Sequence, residues 1–424
     1  MPSLQSPSVH RDDWSDPMVA PFEPPKDELR PSPWSGARWW LTIAAINLAS
    51  GWPYGIVNKL VSLWLTAENT SLKQMGLVSL IGLPWTFKVF WAPLVDRHGT
   101  ARWWIAGSLL SAGFLTAALP VAGHTSPWFW ILLLGIAFAS ATQDVAIDGY
   151  STASTPKVMH GRLNGVRVAA YRTAMLSAGG GLGWLSGYLS WTNIFWIAGA
   201  LCLIGALLAT QLRELPQTPR PLTQWSAELF RWLRGDGWLG TILLVAFVLT
   251  FKLGDAAIVP MVDPFWKHAG LSVQEISIIS ITLGTALVVI GALVGGEITT
   301  RIGTFHALWS LGALQALSNL VYCLVALEPS RSGVYVASVF ESLTQGLGTA
   351  AFLAVLTQAT KGEQAATRFA LLSALAGFTR SIAGATSGYI TESTSYSTFF
   401  AITFVMALPA FLLLPAIRSR LENS

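Results

Sequence analysis

The sequence predicts an all-α polytopic membrane protein of twelve transmembrane helices arranged as two six-helix halves. Three observations carry this prediction. Hydrophobic residues make up 52% of the 424-residue chain and charged residues only 11%, with a mean hydropathy of +0.52, against roughly 25% charged residues in a soluble domain. Apolar stretches of about 20 residues, the length that crosses a bilayer as a helix, recur twelve times. The second half of the sequence also replays motifs of the first at an offset slightly over two hundred residues.

In chain order, residues 1–37 hold eight prolines and mixed charges without an apolar run, which predicts a disordered cytoplasmic tail. The first span starts near Trp39, where Trp39 and Trp40 read as an interfacial belt, and it carries Trp52, Asn58 and Lys59. The second starts near Leu72 and carries Trp85 and Lys88; the third opens at Trp103 and Trp104. The fourth, from near Trp128, is the most informative: Gln143, Asp144 and Asp148 interrupt a run that is otherwise apolar or small. An acid at a helix centre costs about 3 kcal/mol to insert, so such groups face a bundle interior or a wet path. A four-residue spacing puts Asp144 and Asp148 on one face.

The fifth span, from near Leu163, carries Arg167, Tyr171, Arg172 and Trp184, together with the run Gly179-Gly180-Gly181-Leu182-Gly183. That run lacks the Gly-Lys-Ser/Thr of a phosphate loop and reads as close helix packing. The sixth starts near Asn193 and holds Cys202. Residues 213–237, rich in Pro and Arg, form the expected cytoplasmic linker between halves at 38–212 and 238–418. The seventh span, from near Trp238, carries Lys252, Asp255 and Asp263. The eighth starts near Val273, with Gly291 and Gly295 spaced for packing. The ninth starts near Phe305 and holds Cys323. The tenth, from near Val334, carries Glu341 and Gln345; the eleventh, from near Thr367, carries Arg380; the twelfth starts near Thr398 and leads to a short cytoplasmic tail, 419–424. Both cysteines fall in spans as ordinary fillers. All six histidines lie in the tail or loops, which removes the usual acid–base and metal ligands from the membrane, so neither an enzyme, a metal site nor a cofactor is expected.

Orientation follows from the basic residues. With the N-terminus cytoplasmic, seventeen Lys and Arg fall on the cytoplasmic side and three (Lys73, Lys267, Arg331) on the other, the asymmetry of the positive-inside rule. Both termini are therefore expected in the cytoplasm. No basic cluster with interleaved aromatics points to nucleic acid.

Four matches in order mark the repeat. Trp64 followed by Ser71-Leu72-Lys73-Gln74 aligns with Trp266 and Ser272-Val273-Gln274-Glu275, and Arg97-His98-Gly99 with Arg301-Ile302-Gly303. Thr142-Gln143 aligns with Thr344-Gln345, and Gly187-Tyr188 with Gly388-Tyr389. Parallel six-helix repeats place a substrate site between the halves near the midplane. The loop Asp96-Arg97-His98-Gly99-Thr100-Ala101-Arg102 resembles the Asp-Arg-x-Gly-x-x-Arg signature of the major facilitator superfamily, in which a glycine turn lets acid and bases bridge helix ends.

Six basic residues remain inside spans: Lys59, Lys88, Arg167, Arg172, Lys252 and Arg380. Arg167 and Asp148 lie within about two turns of the cytoplasmic boundary and read as a gate pair, together with Asp96, Arg97 and Arg102. Arg172, Lys252 and Arg380 lie about ten to fifteen residues into their helices, near mid-membrane at about 1.5 Å per residue. Lys252 and Asp255, three apart, can pair on one face. Glu341 has no basic neighbour on its own helix. Asp144 and Glu341, with Asp255, are the proton-coupling candidates. The substrate candidates are the cations Arg172, Lys252, Arg380 and Lys88, the hydrogen-bonding Gln143, Gln345, Asn58 and Tyr171, and the aromatic platforms Trp52 and Trp85, for each of which core packing is the alternative.

The runs Phe87-Lys88-Val89-Phe90-Trp91-Ala92-Pro93-Leu94-Val95-Asp96-Arg97, Gln143-Asp144-Val145-Ala146-Ile147-Asp148 and Lys252-Leu253-Gly254-Asp255-Ala256 resemble the AmpG-type muropeptide permeases. So do Gly346-Leu347-Gly348-Thr349-Ala350-Ala351-Phe352 and Phe369-Ala370-Leu371-Leu372-Ser373-Ala374-Leu375. The resemblance implies proton-driven import of anhydromuropeptides, peptidoglycan fragments, from the periplasm through the bacterial inner membrane for cell-wall recycling, with a link to β-lactamase induction in some bacteria. The implied partners are a small glycopeptide and the lipid bilayer, with the protein a monomer. The rival cargo is another organic anion, such as acetyl-coenzyme A, or a drug.

Overall fold

A computed structural model describes residues 36–156, 159–214, 238–359 and 365–422. The expected N-terminal tail lies outside the described residues except for its end, and the expected linker except for residues 213–214. Residues 36–42 belong to one compact unit and residues from Ile43 onward to a second; the features below lie in the second.

Among the described residues there is no strand, and helical stretches fall six before residue 215 and six after residue 237. The first six are α1 (37–67), α2 (72–97), α3 (Ala101–Ala122), α4 (Pro127–Ala153), α5 (160–185) and α6 (Trp191–Ala209). The second six are α7 (238–268), α8 (273–302), α9 (Thr304–Leu327), α10 (Arg331–Gln358), α11 (Ala365–Ser393) and α12 (Tyr396–Glu422). The last helix thus continues through residues 419–422, which the sequence reading assigned to a tail.

The repeat is written into the helix ends. Ser71 caps α2 by accepting from the Gln74 amide at 3.3 Å, and Ser272 caps α8 by accepting from the Glu275 amide at 3.2 Å, with Glu275 reaching back to the Ser272 amide at 2.8 Å. Such caps satisfy amides that the helix leaves unpaired. Gly99 and Gly303, aligned in the sequence, both take positive φ (71° and 81°), a conformation that glycine adopts without a Cβ penalty.

Among the described residues, eight helices are long and apolar enough to cross a membrane: α3, α4, α6, α7 from Leu239, α8, α9, α10 and α12 as far as Arg418. The remaining expected spans, α1, α2, α5 and α11, form as helices but fall outside that set. Their polar residues set them apart, and three of them are irregular as well. A π turn interrupts α1 at Ile56–Leu60 and α5 at Ser177–Gly181, and 3₁₀ turns interrupt α2 at Val78–Gly82 and Lys88–Phe90. Lys59, Lys88, Arg167, Arg172 and Arg380 all lie on these four helices. Non-α geometry of this kind is concentrated where helices meet function.

The glycine run of α5 performs the packing role expected of it. A Cβ at Gly179 would meet Lys59 of α1 and Ile281 of α8, and one at Gly180 or Gly183 would overlap Thr282 or Ser277 of α8. The π turns of α1 and α5 and that of α8 (Ile276–Leu283) therefore pack together. In lipid, where no hydrophobic drive holds helices together, such close approach is the main source of association. Inside the second half, Phe251 stacks on Phe352 at 5.5 Å within a cluster that includes Phe247 and Leu308. In the first, Trp64 meets Phe195 edge-on at 5.0 Å.

Close contacts between the halves run from one end of the bundle toward its middle, where Gly377 meets Thr86. At that end α2 meets α11, with Gly76 against Gly384 and Gly388, and Lys73 pairs with Glu392 at 3.5 Å. Beside them α5 meets α8 through Gly187 and Gln274. At the opposite end ion pairs run within a half: Arg167 with Asp148, Arg102 with Glu214 at 2.7 Å, and Arg301 with Glu297 at 2.7 Å.

Candidate functional site

Three polar clusters occupy the middle of the bundle. In the first half, a 3₁₀ turn of α2 (Lys88–Phe90) carries Lys88 to within 3.6 Å of the Asp144 carboxylate on α4, and Ser50 of α1 donates to the other oxygen. Trp91 anchors this turn by donating from its indole to Thr142 at 3.1 Å. One turn along α4, Asp148 accepts from Arg167 of α5.

In the second half, α7 breaks at Lys252, so that the ammonium leaves the helix axis. It donates to Asp255 at 3.1 Å, Gln315 of α9 at 3.0 Å and Thr349 of α10 at 3.1 Å, while the Gln315 amide also donates to Asp255. Gly348 makes this possible, because a Cβ there would overlap the Gln315 amide. With side chains only 16% and 13% exposed, Lys252 and Asp255 form a closed network.

Glu341 on α10 is different. It accepts from Ser342 at 3.4 Å and Gln345 at 3.1 Å, and has no ion pair among the described residues. The charges within its electrostatic reach are Asp255 and Lys252 from its own half and Lys59 from the other.

Between these clusters lie the exposed guanidiniums of Arg172 (α5) and Arg380 (α11), neither in an ion pair among the described residues. Tyr171 lies within electrostatic reach of both, and of Asp144. Tyr54 joins the aromatic face at 5.4 Å from Tyr171 and 5.0 Å, edge-on, from Trp85. Asn58 is exposed and donates to the Tyr54 carbonyl at 3.0 Å.

Two expected substrate contacts are not presented in this state. Gln143 is fully buried and its amide atoms have no hydrogen-bond partner among the described residues; it points into the packed side of α4 while Asp144 takes the polar side. Trp52 is only 9% exposed and packs in the core, the alternative reading held open for it. Among the gate residues, Arg97 is exposed, Arg102 is bound to Glu214, and the side chain of Asp96 lies outside the described residues. Sequence reasoning did not select Ser50, Tyr54, Gln315 or Thr349. For Gln315 a signal existed: it stands four residues from Asn319 on an otherwise apolar helix, a polar stripe on one face.

Repeated helical halves joined at one end, with charges of both halves between them, define a membrane transporter, and the chain belongs to the major facilitator superfamily, whose profile matches residues 43–327 and again 244–423. It is not an enzyme. Within the superfamily it belongs to the AmpG-type permeases: it is 33% identical over 395 residues to the anhydromuropeptide permease of Escherichia coli K12, over 89% of this chain and 79% of that protein. The fold matches a bacterial homologue of the human lysosomal transporter Spinster (TM-score 0.74, 16% identity, 91% of this chain and 97% of that one). It also matches the nucleoside transporter NupG (TM-score 0.71, 16% identity, 90% and 98%).

Proposed function

We propose that this chain imports anhydromuropeptides across the bacterial inner membrane, coupled to proton entry, by alternating access of its two halves. The observation that carries the reading is the placement of Arg172 and Arg380, one from each half, exposed and without counterions among the described residues, beside the Tyr54, Trp85 and Tyr171 rings. A muropeptide offers sugar rings to stack and carboxylates to bind, the complement of such a surface. The relationship to the E. coli permease supports the same cargo. Basic residues on the loops support cytoplasmic termini, and the end held by Lys73 and Glu392 is then the periplasmic one, closed in this state.

For proton coupling, Glu341 is the leading carrier. Neutralising Asp255 strands Lys252 in a largely buried network and neutralising Asp144 leaves the half-buried Lys88 without its counterion, whereas Glu341 is bound by a hydroxyl and an amide that tolerate either charge state. The test is uptake of labelled anhydromuropeptide into proteoliposomes with and without an inward proton gradient. Glu341→Gln is expected to abolish gradient-driven accumulation while exchange of internal for external ligand continues. Arg172→Ala with Arg380→Ala is expected to remove both. Competition by coenzyme A esters in place of the muropeptide would assign the cargo to another organic anion.

A further inference from the structure

At the closed end of the bundle, α7 grips the C-terminal turn of α1 with two charged residues that the transport site does not use. Asp263 and Lys267 stand four apart and so share a face. Asp263, 7% exposed, accepts from Ser62 of α1 at 3.3 Å and from Ser280 of α8 at 3.2 Å, with Lys59 of α1 within electrostatic reach. Lys267 donates to the carbonyls of Thr66 and Ala67 at 2.7 Å each. These carbonyls close the segment Val61–Ala67. The Thr66 carbonyl also accepts from the Asn69 amide at 3.2 Å, and because the last carbonyls of a helix lack an intrahelical amide and carry the negative end of its dipole, an ammonium from outside the helix is well placed there.

The two contacts share a register. Ser62 and Asp263 are 201 residues apart, as are Thr66 and Lys267, and so are the aligned caps Ser71 and Ser272. Positions of the two repeats that are equivalent to within one residue, the Trp64–Trp266 match standing at an offset of 202, thus face each other across the junction. One repeat supplies hydroxyl and carbonyl groups where the other supplies an acid and a base.

We propose that Asp263 and Lys267 form the latch of this end of the transporter: they bind the two halves together in the present state and let go in the opposite one. They are positioning residues that set the balance between the two states, whatever cargo the central site takes. Glu68 lies within electrostatic reach of Lys267.

The test reads the state directly. Spin labels are placed on cysteines at Thr125 and Glu328, in exposed loops of the two halves at this end, in a Cys202→Ser, Cys323→Ser background reconstituted in nanodiscs, and their separation is measured by pulsed dipolar spectroscopy. The parent is expected to show one short, narrow distance. Lys267→Met and Asp263→Asn are expected to add a longer population, with the ratio of the two states shifting about tenfold, since each variant deletes charge-assisted hydrogen bonds. Lys267→Arg, which keeps a cationic donor, is expected to retain the short distance. Ser62→Ala deletes a single bond and gives a smaller shift, and it remains readable if a charge variant fails to assemble. Unchanged distances in all of these variants would overturn the latch while leaving the cargo assignment untouched.

Discussion

Lys252 shows how much a single position can be read in advance and how much it cannot. Its partnership with Asp255 was legible, because three residues along a helix fix a short separation whatever the rest of the protein does. Its bonds to Gln315 and Thr349 were not, since they depend on how α9 and α10 are rotated toward α7. The consequence is functional: a cation expected to receive substrate is already occupied, and the exposed cations are Arg172 and Arg380. Removing one member of this network strands the other. Lys252→Met is therefore expected to destabilise the protein by about 3 kcal/mol, and Lys252→Met with Asp255→Leu by clearly less; thermal unfolding in detergent checks the order. Asp144 follows the same logic, its lysine coming from 56 residues earlier in the chain.

At the level of the helices, the spans hardest to recognise by hydropathy are those that build the site. α1, α2, α5 and α11 are interrupted or polar because their inner faces carry Lys59, Lys88, Arg172 and Arg380 and because their glycines must meet other backbones. Gly388 is the tightest case: a Cβ there would overlap the Leu72 carbonyl of α2. Overpacking of this kind costs about 1–3 kcal/mol. Gly388→Ala is expected to wedge α2 from α11 and raise, by about tenfold, the labelling rate of a cysteine introduced at Ala385, which is buried against Gly76. Glycine spacing in the sequence announced close packing, but the partner helix was unstated.

Across the whole molecule, the proposed alternating access makes the contacts at one end and the charged interior between the halves one stage of a cycle, in which transport requires the joined end to part. A short, reducible thiol crosslinker between cysteines at Lys73 and Glu392, in the cysteine-free background, is expected to stop uptake, and reduction to restore it. Uptake that persists in the crosslinked protein would rule out parting at this end. The sequence by itself determined the membrane environment, the repeat, the helix ends at Ser71, Ser272, Gly99 and Gly303, and which residue types had to be sheltered from lipid, because each of these depends on composition or on neighbours within a turn or two. Only the tertiary structure decided that Asp144 is paired with Lys88 and Glu341, among the described residues, with no cation, that Gln143 faces the core, and that Lys267 caps a helix of the other half. Those outcomes depend on the rotation and register of helices brought together from distant parts of the chain, and a change of one residue in register swings a side chain about 100° around its helix.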